Sequence, residues 1–341
     1  MRRLLSPWRV LGALVVLALV TLGILWLAPS DDYIFLPDPA HPVAPLVRVE
    51  GGHDPKGPGE IFFVDVFERR ASELESLFPW IHEGATLVPA KLLVPPGVSD
   101  KAARQADLRA MQISQRVAAA VALRHLGYHV VAKPDGVIVD AVEQQSHALG
   151  VLHPADVITA VNGVPTPTIA LLRAQTDDLK PGDVVTLRVR RGNDTKTVRI
   201  KTIADPLRKG RAIVGFSPDQ AADVQLPLNV EIDAGNVGGP SAGLAFTLEV
   251  LAELGHNVTR GYKVAATGQI ELNGAVTAIG GVKQKTYGVR DAKADVFLVP
   301  VDGGNAASAK RYAGKLRIIP VTSFDQALKA LAKLPPKNAG N

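Results

Sequence analysis

No cysteine occurs among the 341 residues. Disulfide bridges, thiol nucleophiles and cysteine-ligated zinc are therefore excluded, and stability must come from packing alone. Aromatic residues make up only 5% of the chain and methionine occurs twice, so the core is built mainly from aliphatic side chains. None of the eight histidines belongs to an H-E-x-x-H run; His125 and His129 have helical spacing, but Gly127 stands between them at an expected helix end. A G-x-x-x-x-G-K-[ST] phosphate loop is also missing, because Gly280-Gly281-Val282-Lys283 lacks the upstream glycine spacing. Neither a cofactor nor a metal is expected. The formal net charge is +5, but the basic residues Arg188, Arg190, Arg191, Lys196, Arg199 and Lys201 alternate with apolar ones along two strands. That pattern is expected of a solvated sheet face, and no nucleic-acid motif accompanies it.

The first thirty residues carry the one long apolar run. Arg2, Arg3 and Arg9 precede an uncharged stretch from Val10 to Ala28, with Trp8 and Trp26 near its ends. Such a length crosses a bilayer, and the basic flank places the N-terminus in the cytoplasm and the remainder outside. A cleaved signal peptide is the competing reading. Trp26-Leu27-Ala28-Pro29-Ser30 makes a poor cleavage site, which favours an uncleaved single-pass anchor at the cell membrane.

The chemistry concentrates in two runs. Asn236-Val237-Gly238-Gly239-Pro240-Ser241-Ala242-Gly243 breaks a strand, and the apolar period Leu244, Leu248, Leu251 and Leu254 then begins a helix. Ser241 is thus expected at a helix N-terminus, where free N–H groups and the helix dipole stabilise a developing oxyanion. A serine hydroxyl needs a neighbouring base. The second run, Gly280-Gly281-Val282-Lys283-Gln284-Lys285, supplies lysines, and a lysine serves as base once burial has lowered its pKa. Lys283 and Lys285 are two residues apart, so on a helix they point in different directions.

Gly239-Pro240-Ser241-Ala242-Gly243, Thr267-Gly268-Gln269-Ile270, Asn273-Gly274 and Ile279-Gly280-Gly281-Val282-Lys283-Gln284-Lys285 together resemble, in order and spacing, the proteolytic domain of Lon proteases. The resemblance implies a Ser-Lys dyad with Ser241 as nucleophile and Lys285 as base. It also implies supporting roles for Thr267, whose hydroxyl would orient the amine, and for Gly239 and Ala242. Two departures stand out: Gly238 occupies a position that is usually acidic in the family, and Gln269 one that is usually Glu. Lon proteins carry an ATPase motor, whereas these residues contain no such module, so ATP-independent cleavage of unfolded or flexible substrates is expected. Relatives form rings, which implies a homo-oligomer.

Between Gly136 and Thr202, strand-like alternation, the Asn162-Gly163 turn, a helix near 169–179 and a hairpin at Gly192-Asn193-Asp194 resemble a PDZ domain. PDZ domains bind C-terminal peptides by adding a strand at a sheet edge. Gly127-Tyr128-His129-Val130 is the expected carboxylate-binding loop, with Ile169 and Leu172 lining the groove. The predicted organisation is a cytoplasmic N-terminus (1–9), an anchor (10–28), a linker (29–57), the first part of the protease domain (58–126), an inserted PDZ domain (127–204), the catalytic part (205–334) and a flexible tail (335–341). The fold class is therefore an α/β (α+β) Lon-type domain with an inserted, mostly β PDZ domain and one N-terminal transmembrane helix. The expected function is a membrane-anchored serine endopeptidase whose PDZ domain recruits or gates substrate. The rival reading is a non-catalytic, membrane-tethered PDZ scaffold on a degenerate protease fold.

Overall fold

The computed structural model describes residues 7–53, 59–94, 98–206, 208 and 210–337. Residues 54–58, most of the stretch 54–59 read as flexible, together with the first six residues and 338–341, lie outside that set. One long N-terminal helix, Pro7–Leu27, precedes a body with three hydrophobic clusters. None of its residues is buried by the rest of the chain.

The protease-like part is a five-stranded sheet in the order His41–Pro42, Glu60–Phe63, Lys263–Ala266, Val296–Pro300, Arg317–Val321. The last four strands run parallel, and His41–Pro42 closes one edge antiparallel. Helices cover both faces, so the central strands are apolar throughout rather than alternating; every residue of Val296–Pro300 is buried. On one face lie Gly243–Glu253 and Asp100–His125, around Phe246, Leu248 and Val264. On the other lie Val282–Asp291 and Asn305–Tyr312, around Phe297 and Val299. Ser99 caps the long Asp100–His125 helix by accepting from the Ala102 N–H, and Ser323 caps Phe324–Ala332 through the Gln326 N–H, which is how serines before apolar periods act.

The expected linker is not one. Pro29–Pro37 is the middle strand of an antiparallel sheet with Val66–Ser72 and Thr86–Pro89, and Val47–Val49 pairs with Val230–Ile232. Ile34, Val43 and Val47 are buried, so this stretch is tied down by long-range pairing that no local period announces. The expected tail is also held in part, because Lys337 donates its N–H to the Arg260 carbonyl and pairs with Asp295 at 2.7 Å.

A separate cluster lies within residues 131–225. Its antiparallel sheet runs Asp194–Lys201, Val184–Arg191, Val157–Val161, Val131–Val142, Phe216–Gln225, and encloses Val137, Val139, Ile158, Leu187 and Ile200. The sheet therefore reaches past the expected boundary at residue 204. Residues 146–150 form a bend and turns, with an isolated bridge between Leu149 and Leu152. The expected solvated basic face is only partly so: Arg191 is bidentate on the fully buried Asp156, and Arg190 pairs with Asp135.

Candidate active site

The strand Lys263–Ala266 delivers Thr267 to the carboxyl edge of the parallel sheet, beside the turn that carries Ser241. Ser241 lies two residues before the Gly243–Glu253 helix, for which Ala242 is the N-cap. Gly239 holds a left-handed φ of 82° in that turn and donates its N–H to the Asp107 carbonyl. The Gly243 and Leu244 amides are taken by the carbonyls of Pro240 and Gly268.

Lys285 projects from the first turns of Val282–Asp291 and is buried, as is Thr267. Its Nζ lies 2.6 Å from the Ser241 Oγ and 3.3 Å from the Thr267 Oγ1. Thr267 donates its hydroxyl proton to the Ser241 carbonyl at 3.2 Å, which leaves its lone pairs for an N–H of Lys285. Burial pulls the Lys285 pKa from 10.5 down to about 8, opposed by the charge of Asp65. Lys283, two residues earlier, points away and donates to the Ala85 carbonyl at 2.8 Å. The structure therefore brings Ser241, Lys285 and Thr267 into one hydrogen-bonded group and separates the two lysines.

Close backbone approach makes this burial possible. A Cβ at Gly288, one turn beyond Lys285, would fall 1.8 Å from the Asp38 carbonyl oxygen, so the chain crosses the helix where only glycine fits. The crossing places Asp38, His41 and Asp65 together over the helix face, with ligand atoms within 4.8 Å of one another. These are three donors of metal-ligating type, but His41 is already hydrogen-bonded to Asp38 at 3.1 Å. Burial, followed by a hydrogen bond with Asp38, pushes the Asp65 carboxyl up. Sequence reasoning missed Asp65; a lone carboxylate ending the apolar run Ile61-Phe62-Phe63-Val64 was the available signal.

Gly238, one of the two departures from the family pattern, has a steric counterpart. A Cβ there would lie 2.7 Å from that of Asp107, so the long helix fills the space an acidic side chain would need and puts its own carboxyl nearby. Burial raises the Asp107 pKa. A cleft of about 1090 Å³ runs from this point between the long helix and the second sheet; Pro240, Gln269 and Ile270 form its end beside Ser241, and Asp140, Asp219 and Glu271 lie along its wall.

The expected peptide groove is different. Gly127-Tyr128-His129-Val130 leads into the strand Val131–Val142, but Phe216–Gln225 pairs with that strand along its whole length, from Phe216 opposite Val142 to Gln225 opposite Val131. Gln220 pins the pairing. Its Nε2 donates to the Gly136 and Pro167 carbonyls at 3.0 and 2.8 Å, and its Oε1 accepts from the Ile169 N–H. Leu172 is buried in the domain core and Ile169 packs against that core. The edge on which a peptide was expected to add is thus filled by the chain's own strand.

Residues 206–333 match the family model for the Lon protease (S16) C-terminal proteolytic domain, and residues 125–202 match that for the PDZ domain. A Lon protease of Chloroflexus aggregans is 31% identical over 146 residues, which is 41% of this chain and 18% of that protein. Lon protease 2 of Bacillus subtilis is 29% identical over 150 residues, covering 42% of this chain and 26% of its own length. The chain therefore spans only about a fifth to a quarter of these relatives. Among solved structures, the PDZ domain of the SdrC-like protein Lin2157 from Listeria innocua is 30% identical and covers 25% of this chain and 93% of its own, with a TM-score of 0.24.

Proposed function

Because the chain carries a Lon-type C-terminal proteolytic domain and a PDZ domain, we propose that it is a membrane-anchored serine endopeptidase in which Lys285 activates Ser241. The observation that carries this reading is the 2.6 Å contact between a serine hydroxyl and a buried lysine amine. Neutral Lys285 accepts the Ser241 proton as the hydroxyl attacks the scissile carbonyl, then returns it to the leaving amine. Thr267 holds the amine in line. The amides of Ser241 and Ala242, with no acceptor among the described residues, bind the oxyanion. The 341 residues contain no phosphate loop, so this chain is proposed to cleave without hydrolysing ATP, on substrates that arrive unfolded.

Casein digestion by the full-length chain in nanodiscs, without ATP, tests the reading, with Ser241→Ala as control. Cleavage that the substitution abolishes supports it. Peptide binding without any cleavage would instead favour the scaffold. Thr267→Val is expected to lower kcat about 10- to 100-fold with little change in KM, since one orienting hydrogen bond is lost. Thr267→Ser should restore most of the rate; equal rates for all three proteins would remove Thr267 from the mechanism.

The PDZ domain is proposed to gate rather than simply to recruit. A C-terminal peptide must displace Phe216–Gln225 to reach the Val131–Val142 edge, and the chain after Gln225 runs directly through Val230–Ile232 to the Ser241 turn. Gln220→Ala removes the side-chain bonds to Gly136, Pro167 and Ile169 and makes displacement easier. Affinity for a C-terminal peptide is expected to rise about 10-fold or more, measured by fluorescence anisotropy. Unchanged or weaker binding would count against a closed groove.

A further inference from the structure

The body is joined to its apolar helix without a tether. Ala28 donates to the Ile24 carbonyl and accepts from the Glu73 N–H, so Pro7–Leu27 passes straight into the strand Pro29–Pro37 and the short helix Glu73–Leu77. That short helix packs alongside the end of the long one, and the rings of Trp26 and His82 lie 6.5 Å apart.

The corner is firmly built. Ser72 and Glu75 form a reciprocal capping box, and the buried Glu75 carboxylate also holds Arg69 at 2.6 Å and His82 at 2.7 Å. Those bonds keep Glu75 ionised well below the usual carboxylate range, the Arg69 hydrogen bond contributing most. On this rigid platform the uncharged run Leu77-Phe78-Pro79-Trp80-Ile81 faces outward. Leu77 is 57% exposed, Trp80 73% and Ile81 46%, and Phe78 and Trp80 meet edge to face at 5.1 Å. Apolar surface of this kind, held in place rather than collapsed, marks a contact surface.

We propose that Leu77-Phe78-Pro79-Trp80-Ile81 inserts into the bilayer interface beside the end of the membrane helix, so that the peptidase body lies flush on the membrane. The occupant follows from continuity: the run stands next to a 21-residue helix whose most apolar 18-residue window has a mean hydropathy of 2.7 and which the protein itself leaves uncovered, and the Trp26 ring lies near that of His82, the residue that follows the run. Tryptophan and its apolar neighbours favour the headgroup level, where an indole keeps its N–H solvated while the ring leaves water. The proposal rests on the reading of Pro7–Leu27 as a membrane span.

Three tryptophans, Trp8, Trp26 and Trp80, make the test direct. Full-length chains that retain only Trp80 or only Trp8, with the others changed to Phe, are reconstituted in phosphatidylcholine–phosphatidylglycerol nanodiscs with and without brominated acyl chains. Docking predicts blue-shifted Trp80 emission and its loss on bromination, and recovery of a solvated segment in Phe78→Ser, read with the same Trp80 reporter. Trp8 quenched with Trp80 emitting as in water would overturn the docking while leaving the span in place. Failure of both to quench would overturn the span and the docking together. Trp80 shielded from acrylamide but indifferent to bromination would assign the surface to a second copy of the chain and overturn the bilayer.

Discussion

Lys285→Met is expected to abolish peptidolysis and at the same time raise the melting temperature. The catalytic loss follows from the contact with Ser241: without an amine at 2.6 Å no described side chain accepts the hydroxyl proton, and the rate should fall by about 1000-fold or more. The stability gain follows from burial. Lys285 has its folded pKa depressed from 10.5 to about 8, so in that pH window the unfolded chain binds a proton that the folded one has released, and stability rises with pH. Below about pH 8 the folded state carries the buried ammonium and bears the full cost, on the order of 3 kcal/mol. Methionine keeps the aliphatic volume without the charge, so at pH 7 the variant should melt higher and lose the stability increase between pH 8 and 10.5. The same titration predicts that wild-type kcat/KM rises with pH through about 8, as free enzyme acquires its base. Ser241→Ala should lose activity to a similar extent but leave the stability profile close to that of wild type. An active Lys285→Met protein, or one melting well below wild type, would show that the amine is neither the base nor a buried cost.

The Ser241 and Lys285 segments were legible because their signals are local: a glycine-proline break before an apolar helical period and a double glycine opening the helix of Lys285, whereas Thr267 entered only through the resemblance to Lon proteolytic domains. Each shapes the backbone within a few residues, and the parallel sheet then aligns their ends. Legibility failed where pairing is distant. Pro29–Pro37 carries Asp31 and Asp32 next to Tyr33 and Ile34, which breaks any alternation, and its pairing partners in Val66–Ser72 and Thr86–Pro89 lie 29 or more residues away in the chain. Phe216–Gln225, interrupted by Pro218 and rich in Asp and Ala, has no strand period of its own; the exposed edge of Val131–Val142 and the reach of Gln220 create it. The peptide groove was misplaced for the same reason, since an edge is a property of the sheet and not of the strand that borders it. Glu249 was overlooked although a signal existed. Gly243–Glu253 is apolar nearly all round, and a helix of that kind is buried on every face, acidic residues included.

Glu249→Gln should remove a stability loss that wild type suffers as the pH rises from 4.5 to 8. Glu249 is 1% exposed, and burial first, then the charges of Glu253 and Glu60, push its pKa from 4.5 to about 8. Across that window the folded chain keeps a proton that the unfolded chain releases, so stability falls with pH, by about 3 to 5 kcal/mol once the carboxyl ionises. Glutamine copies the shape of the protonated acid and cannot ionise. Hydrogen exchange of the Gly243–Glu253 amides, compared at matched pH, should show protection equal to wild type near pH 5 and much greater than wild type at pH 9. An identical pH dependence in the two proteins would place the ionisation of Glu249 outside this balance. The opposite slopes of Glu249 below pH 8 and Lys285 above it give the joint contribution of these two groups to stability a minimum near pH 8, where the proposed dyad gains its base. The helix that carries Glu249 begins two residues after Ser241, so the least protected state of the proposed nucleophile's helix should coincide with the onset of activity. Glu249→Gln separates the two: the activity profile, set by Lys285, should keep its rise through about pH 8 while the stability minimum disappears.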